Sequence, residues 1–399
     1  MVRVMIPSFN IARIPNIIFG IGKLNDLFNL IPKFGKNILI ITGGKSLKSS
    51  GEWDKIAENL DKLLITYSQV SISGEPSPSM VDKYATKFRG KNIDLIVGIG
   101  GGSVIDAGKA ISAMIPKRYS IKEYLEGVGT KTYDGEKISY IAIPTASGTG
   151  SEATKNAVIS KIGPEGFKKS LRHDNLVPDF AIIDPELMIS CPQSVTAACG
   201  MDAFTQLLEA YVSPKGNPMT DALALSGIKY MKDNIIPACS NGASDVKVRA
   251  AMAYGSLMSG ITLANAGLGV IHGFASPIGG FFNIPHGVIC GTLLAEATKM
   301  NIEMLKKKGP SGKLGLKKHA DIGALFYDGE PVKKDNILKY CDILIITLQK
   351  WTDQLNIDRL GKYGINISDV DKIVAKTGLK NNPVELSKED IKSILINRI

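Results

Sequence analysis

The stretch DLIVGIGGGSVIDAGKAISAM (94–114) decides the fold. An apolar run of strand length ends on three consecutive glycines and Ser103, and a helical pattern follows without a gap. Strand, glycine turn and helix in direct succession form the first half of a βαβ unit. Outward from it the same order repeats. NILIIT (37–42) closes on Gly43-Gly44, LLITYSQV (63–70) and SYIAIPT (139–145) are further strand runs, and FAIID (180–184) precedes Pro185. Helical patterns fill 51–63, 78–89 and 103–114. This rhythm predicts a mostly parallel sheet with helices on both faces, and ligands of such sheets sit beyond the carboxyl ends of the strands.

After about residue 190 the period changes. Apolar residues recur at helical spacing over 194–212, 218–234, 245–264 and 288–306, while β-rich runs become scarce. Pro185 and Pro192 punctuate the change. The reading is an α/β domain over 1–188 and an all-α domain over 189–399, with a crevice between them as the place for chemistry. A length of 399 residues accommodates both, and no repeat or low-complexity tract interrupts them.

Composition excludes several classes. Hydrophobic residues make up 44% and charged residues 22%, which rules against disordered, collagen-like and coiled-coil chains. No stretch reaches the roughly 18 uncharged apolar residues of a membrane span. MVRVMIPSFNIARIP lacks a signal-peptide core, so the expected location is cytoplasmic, without a membrane partner. The five cysteines (191, 199, 239, 290 and 341) are odd in number and widely spaced, which reads as reduced, mostly buried thiols. The net charge of +10 suits either nucleic acid or small anions. Part of the excess lies in Lys306, Lys307, Lys308, Lys313, Lys317 and Lys318, around Gly309, Pro310 and Gly312. This reads as an exposed basic loop. Without interleaved aromatics it is no nucleic-acid surface.

Three motifs carry chemistry. Gly101, Gly102 and Ser103 open a helix whose free amides and dipole favour a diphosphate, although the GxGxxG spacing is absent. In PTASGTGSE (144–152) the hydroxyls of Thr145, Ser147, Thr149 and Ser151 crowd beyond a strand end, which suits ribose or phosphate oxygens or simply caps the next helix. Only four histidines occur, and two of them, His272 and His286, share GLGVIHGFASPIGGFFNIPHGVICG. Pro277, Gly279, Gly280 and Pro285 prevent one helix from joining them, so both imidazoles can turn inward. Upstream, Asp202 and Gln206 are four residues apart on one helix face. A carboxylate with two imidazoles fits a divalent metal, with Gln206 adding an amide oxygen; core histidines are the alternative.

Taken together these stretches resemble the iron-containing, group III alcohol dehydrogenases over nearly the whole chain: FGIGK (19–23), GIGGGSVIDAGKAI (98–111), IPTASGTGSEAT (143–154), PDFAIIDPEL (178–187), GMDAFTQLLEAYVS (200–213), GLGVIHGFASPIGGFFNIPHG (267–287) and NPVELSKEDI (382–391). The resemblance implies a dehydroquinate synthase-like architecture and hydride transfer between a nicotinamide coenzyme and an alcohol or aldehyde. It implies that Gly101, Gly102 and Ser103 bind the diphosphate, with Asp106 close to the coenzyme. Thr145 and Thr149 would lie near the nicotinamide half and the phosphates. It implies that Asp202, His272 and His286 are metal ligands and catalytic, and that the protein is a homodimer or higher homo-oligomer.

Two departures fall within the chemistry. The fourth ligand, a histidine in metal-dependent relatives, is here Gln206; a further histidine linked to proton relay is here Ser276. The expectation is one divalent iron or zinc ion, held weakly or absent. The competing reading is a metal-independent reductase of a carbonyl acid, similar to maleylacetate reductases. After ILIIT comes Gly43-Gly44-Lys45-Ser46, with no carboxylate for ribose hydroxyls, so Gly43, Gly44 and Ser46 are expected to favour NADP(H) over NAD(H).

Overall fold

The computed structural model describes residues 6–327 and 329–399. The first five residues, which form part of the expected α/β domain and of the segment read as lacking a signal core, lie outside them. Strands β1 (Asn16–Phe19), β2 (Asn37–Thr42), β3 (Thr66–Ser71), β4 (Leu95–Gly100), β5 (Ser139–Pro144), β6 (Asn156–Lys161), β7 (Phe167–Arg172) and β8 (Phe180–Ile183) form two sheets. Six of them make one sheet in the order β1-β8-β5-β4-β2-β3, every pair parallel. The order reverses between β2 and β4. The glycine turns after these two strands therefore flank the switch point of the sheet.

Alternate residues of each inner strand feed two cores. Ile38 and Ile40 of β2, with Leu95, Val97 and Ile99 of β4, pack under Leu27, Ile56 and Leu60. Leu39, Ile41 and Ile96 face the opposite side, against Val81, Ala85, Ile105 and Ile111. Burial on both faces is why these strands read as continuous apolar runs. The β6–β7 pair is a separate antiparallel hairpin; FKKSLR, with three cations in six residues, does not stand out as strand, and NAVISK is its only partner among the described residues. β3 starts three residues later than 63–70, because Leu63 caps the preceding helix and Leu64 turns the chain at φ 53°.

The second half is helical. Helices Gln193–Val212, Val246–Ala266 and His286–Lys307 pack together, and the first is buried along nearly its whole length. Their core includes Ala181 and Ile183 of β8, so apolar packing runs across the junction between the halves. Backbone meets backbone there too. Gly150, at φ 59°, leaves room for Gly260, whose amide nitrogen would lie 2.4 Å from any Cβ at residue 150.

Two local readings need correction. The lysine-rich segment is not a loop: Lys306 and Lys307 end one helix, and Lys313, Lys317 and Lys318 lie on helix Lys313–Ala324. Lys317 pairs with Asp321 and Lys318 with Asp221 at 2.8 Å each, which neutralises two of the six lysines in place. Pro277 does not end a helix either. Helix Val270–Phe281 runs through it, and the break before His286 falls at Phe282–Pro285. The two histidines still sit on separate helices.

Candidate functional site

The coenzyme side is built at the switch point. Gly101 caps helix Gly102–Met114 with no side chain in the way, so the first-turn amides face the crevice. Thr145 donates its amide to the Gly100 carbonyl at 3.0 Å, which ties the 145–150 loop to the glycine turn. A Cβ on Gly102 would lie 2.6 Å from Thr149 Oγ1, whereas one on Gly101 would meet nothing. Glycine serves the packing at 102 and the opening at 101.

Two cavities meet at this turn. One, of about 630 Å³, is lined by Ser46, Gly101 and Thr145, and also by Glu52 and Lys55, which pair at 2.7 Å. The other, of about 530 Å³, is lined by Gly102, Ser103, Asp106, Thr149, His272 and His286. Of the coenzyme residues expected from sequence, only Gly43 and Gly44 are off these walls; they form the turn after β2, where the Gly43 carbonyl accepts from Ser71 Oγ.

Asp106 is occupied on both oxygens. Oδ2 accepts the Val158 amide at 3.1 Å, Oδ1 accepts the Ser151 hydroxyl, and Lys109 Nζ is 3.2 Å from Oδ1. Lys109 is fully buried and also donates to Ser151 O and Thr154 Oγ1. A buried ion pair whose remaining groups are all hydrogen-bonded fixes geometry more than it adds stability. Here it holds the glycine helix, the 145–154 loop and the hairpin in one register.

The second cavity ends on the histidines. Asp202 and Gln206 lie on helix Gln193–Val212, His272 is in the first turn of Val270–Phe281, and His286 is the first residue of its helix. Asp202 Oδ1 is 3.4 Å from His272 Nε2 and 3.6 Å from His286 Nε2, yet it is buried with no hydrogen-bond partner among the described residues. Burial would raise the Asp202 pKa, but His286 and His272 outweigh it and hold it at about 2. Burial lowers His286, although its side chain keeps 23% exposure toward the cleft. Burial also opposes charge on His272. Cys290 and Glu209 reverse that and hold His272 well above the ordinary range. A buried anionic oxygen without a donor, facing two imidazole nitrogens, fits a divalent cation.

Several residues here escaped the sequence reading. Glu209 accepts from Ile271 N at 2.8 Å through one oxygen and pairs with His272 Nδ1 at 2.7 Å through the other, which turns Nε2 toward Asp202. Its spacing from Asp202 and Gln206, seven and three residues on one helix, is the signal that places it on the same face. Cys290 Sγ is 3.7 Å from both Nε2 atoms and lies one turn after His286, a relation visible in HGVIC. Burial pushes its thiol up to about 12. Gln206 lines the cavity, with Oε1 2.7 Å from the Ser259 hydroxyl. Ser276 also lines it and donates to Lys168 O. Lys380, at φ 52°, reaches the same wall and has no ion-pair partner among the described residues; nothing local in its sequence signals this.

Comparison with known proteins extends these observations over the whole chain. The family model described as iron-containing alcohol dehydrogenase matches residues 15–185, and that of the C-terminal part of the same family matches 196–399. Alcohol dehydrogenase 4 of Saccharomyces cerevisiae is 32% identical over 392 residues, 96% of each chain. Long-chain-alcohol dehydrogenase 1 of Geobacillus thermodenitrificans is 37% identical over 277 residues, 69% of each. Among solved structures, an archaeal halo-thermophilic alcohol dehydrogenase from a Red Sea brine pool superposes with a TM-score of 0.88 at 25% identity, over 99% of this chain and 100% of that one.

Proposed function

The chain belongs to the iron-containing alcohol dehydrogenase family, and from that premise we propose that it interconverts an alcohol with its aldehyde or ketone in this cleft, assisted by a divalent metal and using NADP(H) in preference to NAD(H). One observation carries the reading: the glycine turn at the sheet's switch point and the two imidazoles open onto a single cavity. Asp202, His272 and His286 would hold the metal, with Gln206 beside them. Bound there, the cation supplies a Lewis acid for the substrate oxygen and the coenzyme supplies the hydride acceptor.

The chain's own residues set the geometry. First-turn amides from Gly102 and Ser103 would meet the diphosphate, Asp106 and Thr149 would border it, and Thr145 lines the neighbouring cavity. Glu209 fixes the His272 ring. In the other cavity, the wall residues Ser46 and Lys55 would receive a 2′-phosphate, with Gly43 and Gly44 in the turn before Ser46. Glu52 neutralises Lys55 there and limits the preference.

The experiment is an anaerobic screen of NADPH and NADH oxidation over aldehydes, with and without exhaustive chelation, for the parent and His272→Ala. The expected result is turnover that falls at least about tenfold on chelation or in the variant, with a higher kcat/KM for NADPH. Full activity after chelation, undiminished in His272→Ala, overturns the metal; a higher kcat/KM with NADH overturns the coenzyme preference.

A second reading, reduction of a carbonyl acid, is favoured by Lys380, a cation on the cavity wall with no ion-pair partner among the described residues. The same screen tests it, since an aldehyde bearing a carboxylate would then exceed a neutral one of equal length in kcat/KM. We also propose a homo-oligomer in a reducing, cytoplasmic setting. All five cysteines are free, and β1 is an edge strand whose one pairing among the described residues is with β8. No single helix among the described residues is long and apolar enough to cross a membrane. A mass near the 42.8 kDa of one chain in light scattering overturns the oligomer.

A further inference from the structure

We propose that Cys290, and not Gln206, supplies the fourth protein ligand of the metal site, as a thiolate. The inference rests on the metal-assisted reading above and identifies the donor set within it.

The distances carry the argument. A tetrahedral ion with metal–nitrogen and metal–oxygen bonds of about 2.0–2.1 Å and a metal–sulfur bond of about 2.3 Å sets its donors about 3.4 Å apart for oxygen to nitrogen and about 3.6 Å for nitrogen to sulfur. Asp202 Oδ1 lies 3.4 and 3.6 Å from the two Nε2 atoms, and Cys290 Sγ lies 3.7 Å from each of them. One atom from each of the four side chains falls within 4.8 Å of all the others. Four edges of a tetrahedron are thus already close to length.

Chemistry and placement agree with the distances. Asp202 Oδ1 is buried without a donor, so the cluster already contains an atom that needs a cation. Cys290 projects from the same helix face as His286, one turn further along, and is fully buried. Gln206 has its carbonyl oxygen engaged by the Ser259 hydroxyl at 2.7 Å. When the metal binds, the Cys290 S–H proton passes to solvent as the sulfur–metal bond forms. A set of one thiolate, two imidazoles and one carboxylate favours zinc or cobalt(II) over iron(II), and either ion can add the substrate oxygen as a fifth ligand.

The test uses the full-length protein, stripped by chelation and loaded anaerobically with cobalt(II) alone. The parent is expected to bind one equivalent, with visible bands of tetrahedral intensity and a strong thiolate-to-cobalt band in the near ultraviolet. Cys290→Ser is expected to lose the near-ultraviolet band and to weaken cobalt binding by an order of magnitude or more, whereas Gln206→Ala keeps the band. The parent spectrum and the Gln206→Ala arm decide the matter even if Cys290→Ser fails to fold. Cobalt bound without a thiolate band, or a band that survives in Cys290→Ser, overturns the Cys290 assignment and leaves the metal reading standing. Failure of the parent to bind cobalt overturns both.

Discussion

Glu152 shows how much one buried group sets at the scale of a residue. It sits in the segment that joins β5 to the hairpin strand β6 and is 3% exposed. Burial raises its carboxyl from an ordinary 4.5 to about 7, only partly opposed by Lys109. The folded chain therefore keeps a proton that the unfolded chain releases. Its contribution to stability is full below about pH 4.5 and is lost as the pH rises through about 7, a change of roughly 3 kcal/mol. Glu152→Gln removes this dependence. Urea midpoints measured across that window should fall with pH in the parent relative to the variant; parallel curves would contradict the assignment. His272 obeys the same principle of environment, since its orientation is set by Glu209 and not by its own helix.

The element that organises the coenzyme side is helix Gly102–Met114 together with its glycine turn. Gly101 and Gly102 are neighbours with different duties, and alanine separates them. At Gly101 a methyl group enters open space at φ −71°, so Gly101→Ala should leave the melting temperature unchanged yet raise the coenzyme KM several-fold by filling the junction of the two cavities. At Gly102 the methyl meets Thr149 Oγ1 at 2.6 Å and Cγ2 at 2.7 Å. Gly102→Ala should therefore lower stability by about 1–3 kcal/mol as well as coenzyme affinity. Thermal melts and coenzyme titrations on the two variants check the split, and equal melting losses would refute it.

For the whole molecule the decisive contact is where the halves touch. Gly150 and Gly260 pack backbone to backbone, and a Cβ on Gly150 would lie 2.4 Å from the Gly260 nitrogen and 2.6 Å from Ser256 O. Gly150→Ala adds that overlap to a left-handed φ of 59°, so a loss of about 3 kcal/mol or more is expected. Because the 145–150 loop lines both cavities, activity should fall with it. A loss below about 1 kcal/mol in urea unfolding would show that the junction yields more easily than this packing implies.

The α/β half was legible in the sequence because its strands are buried on both faces and so read as continuous apolar runs ending in glycines. Pro185 and Pro192 mark the change of period near 185–193, where β8 ends at Ile183 and helix Gln193–Val212 begins. Asp202, His272 and His286 stood in the sequence as one candidate set, with core histidines as the alternative, and the structure brings both Nε2 atoms within 3.6 Å of Asp202 Oδ1. Gly43 and Gly44 were read as coenzyme contacts, but a turn's composition does not say which way its backbone faces, and neither residue is on the cavity walls. The hairpin β6–β7 was hidden by its charge, and the lysine cluster read as a loop because its partners Asp221 and Asp321 are distant in sequence or on the far turn of a helix not yet known. Glu209 beside His272, Cys290 between two imidazoles and Lys380 on the cavity wall depend on how helices pack around the cleft. Periodicity determines which face of an element is apolar; only tertiary packing brings faces from four separate segments to one point.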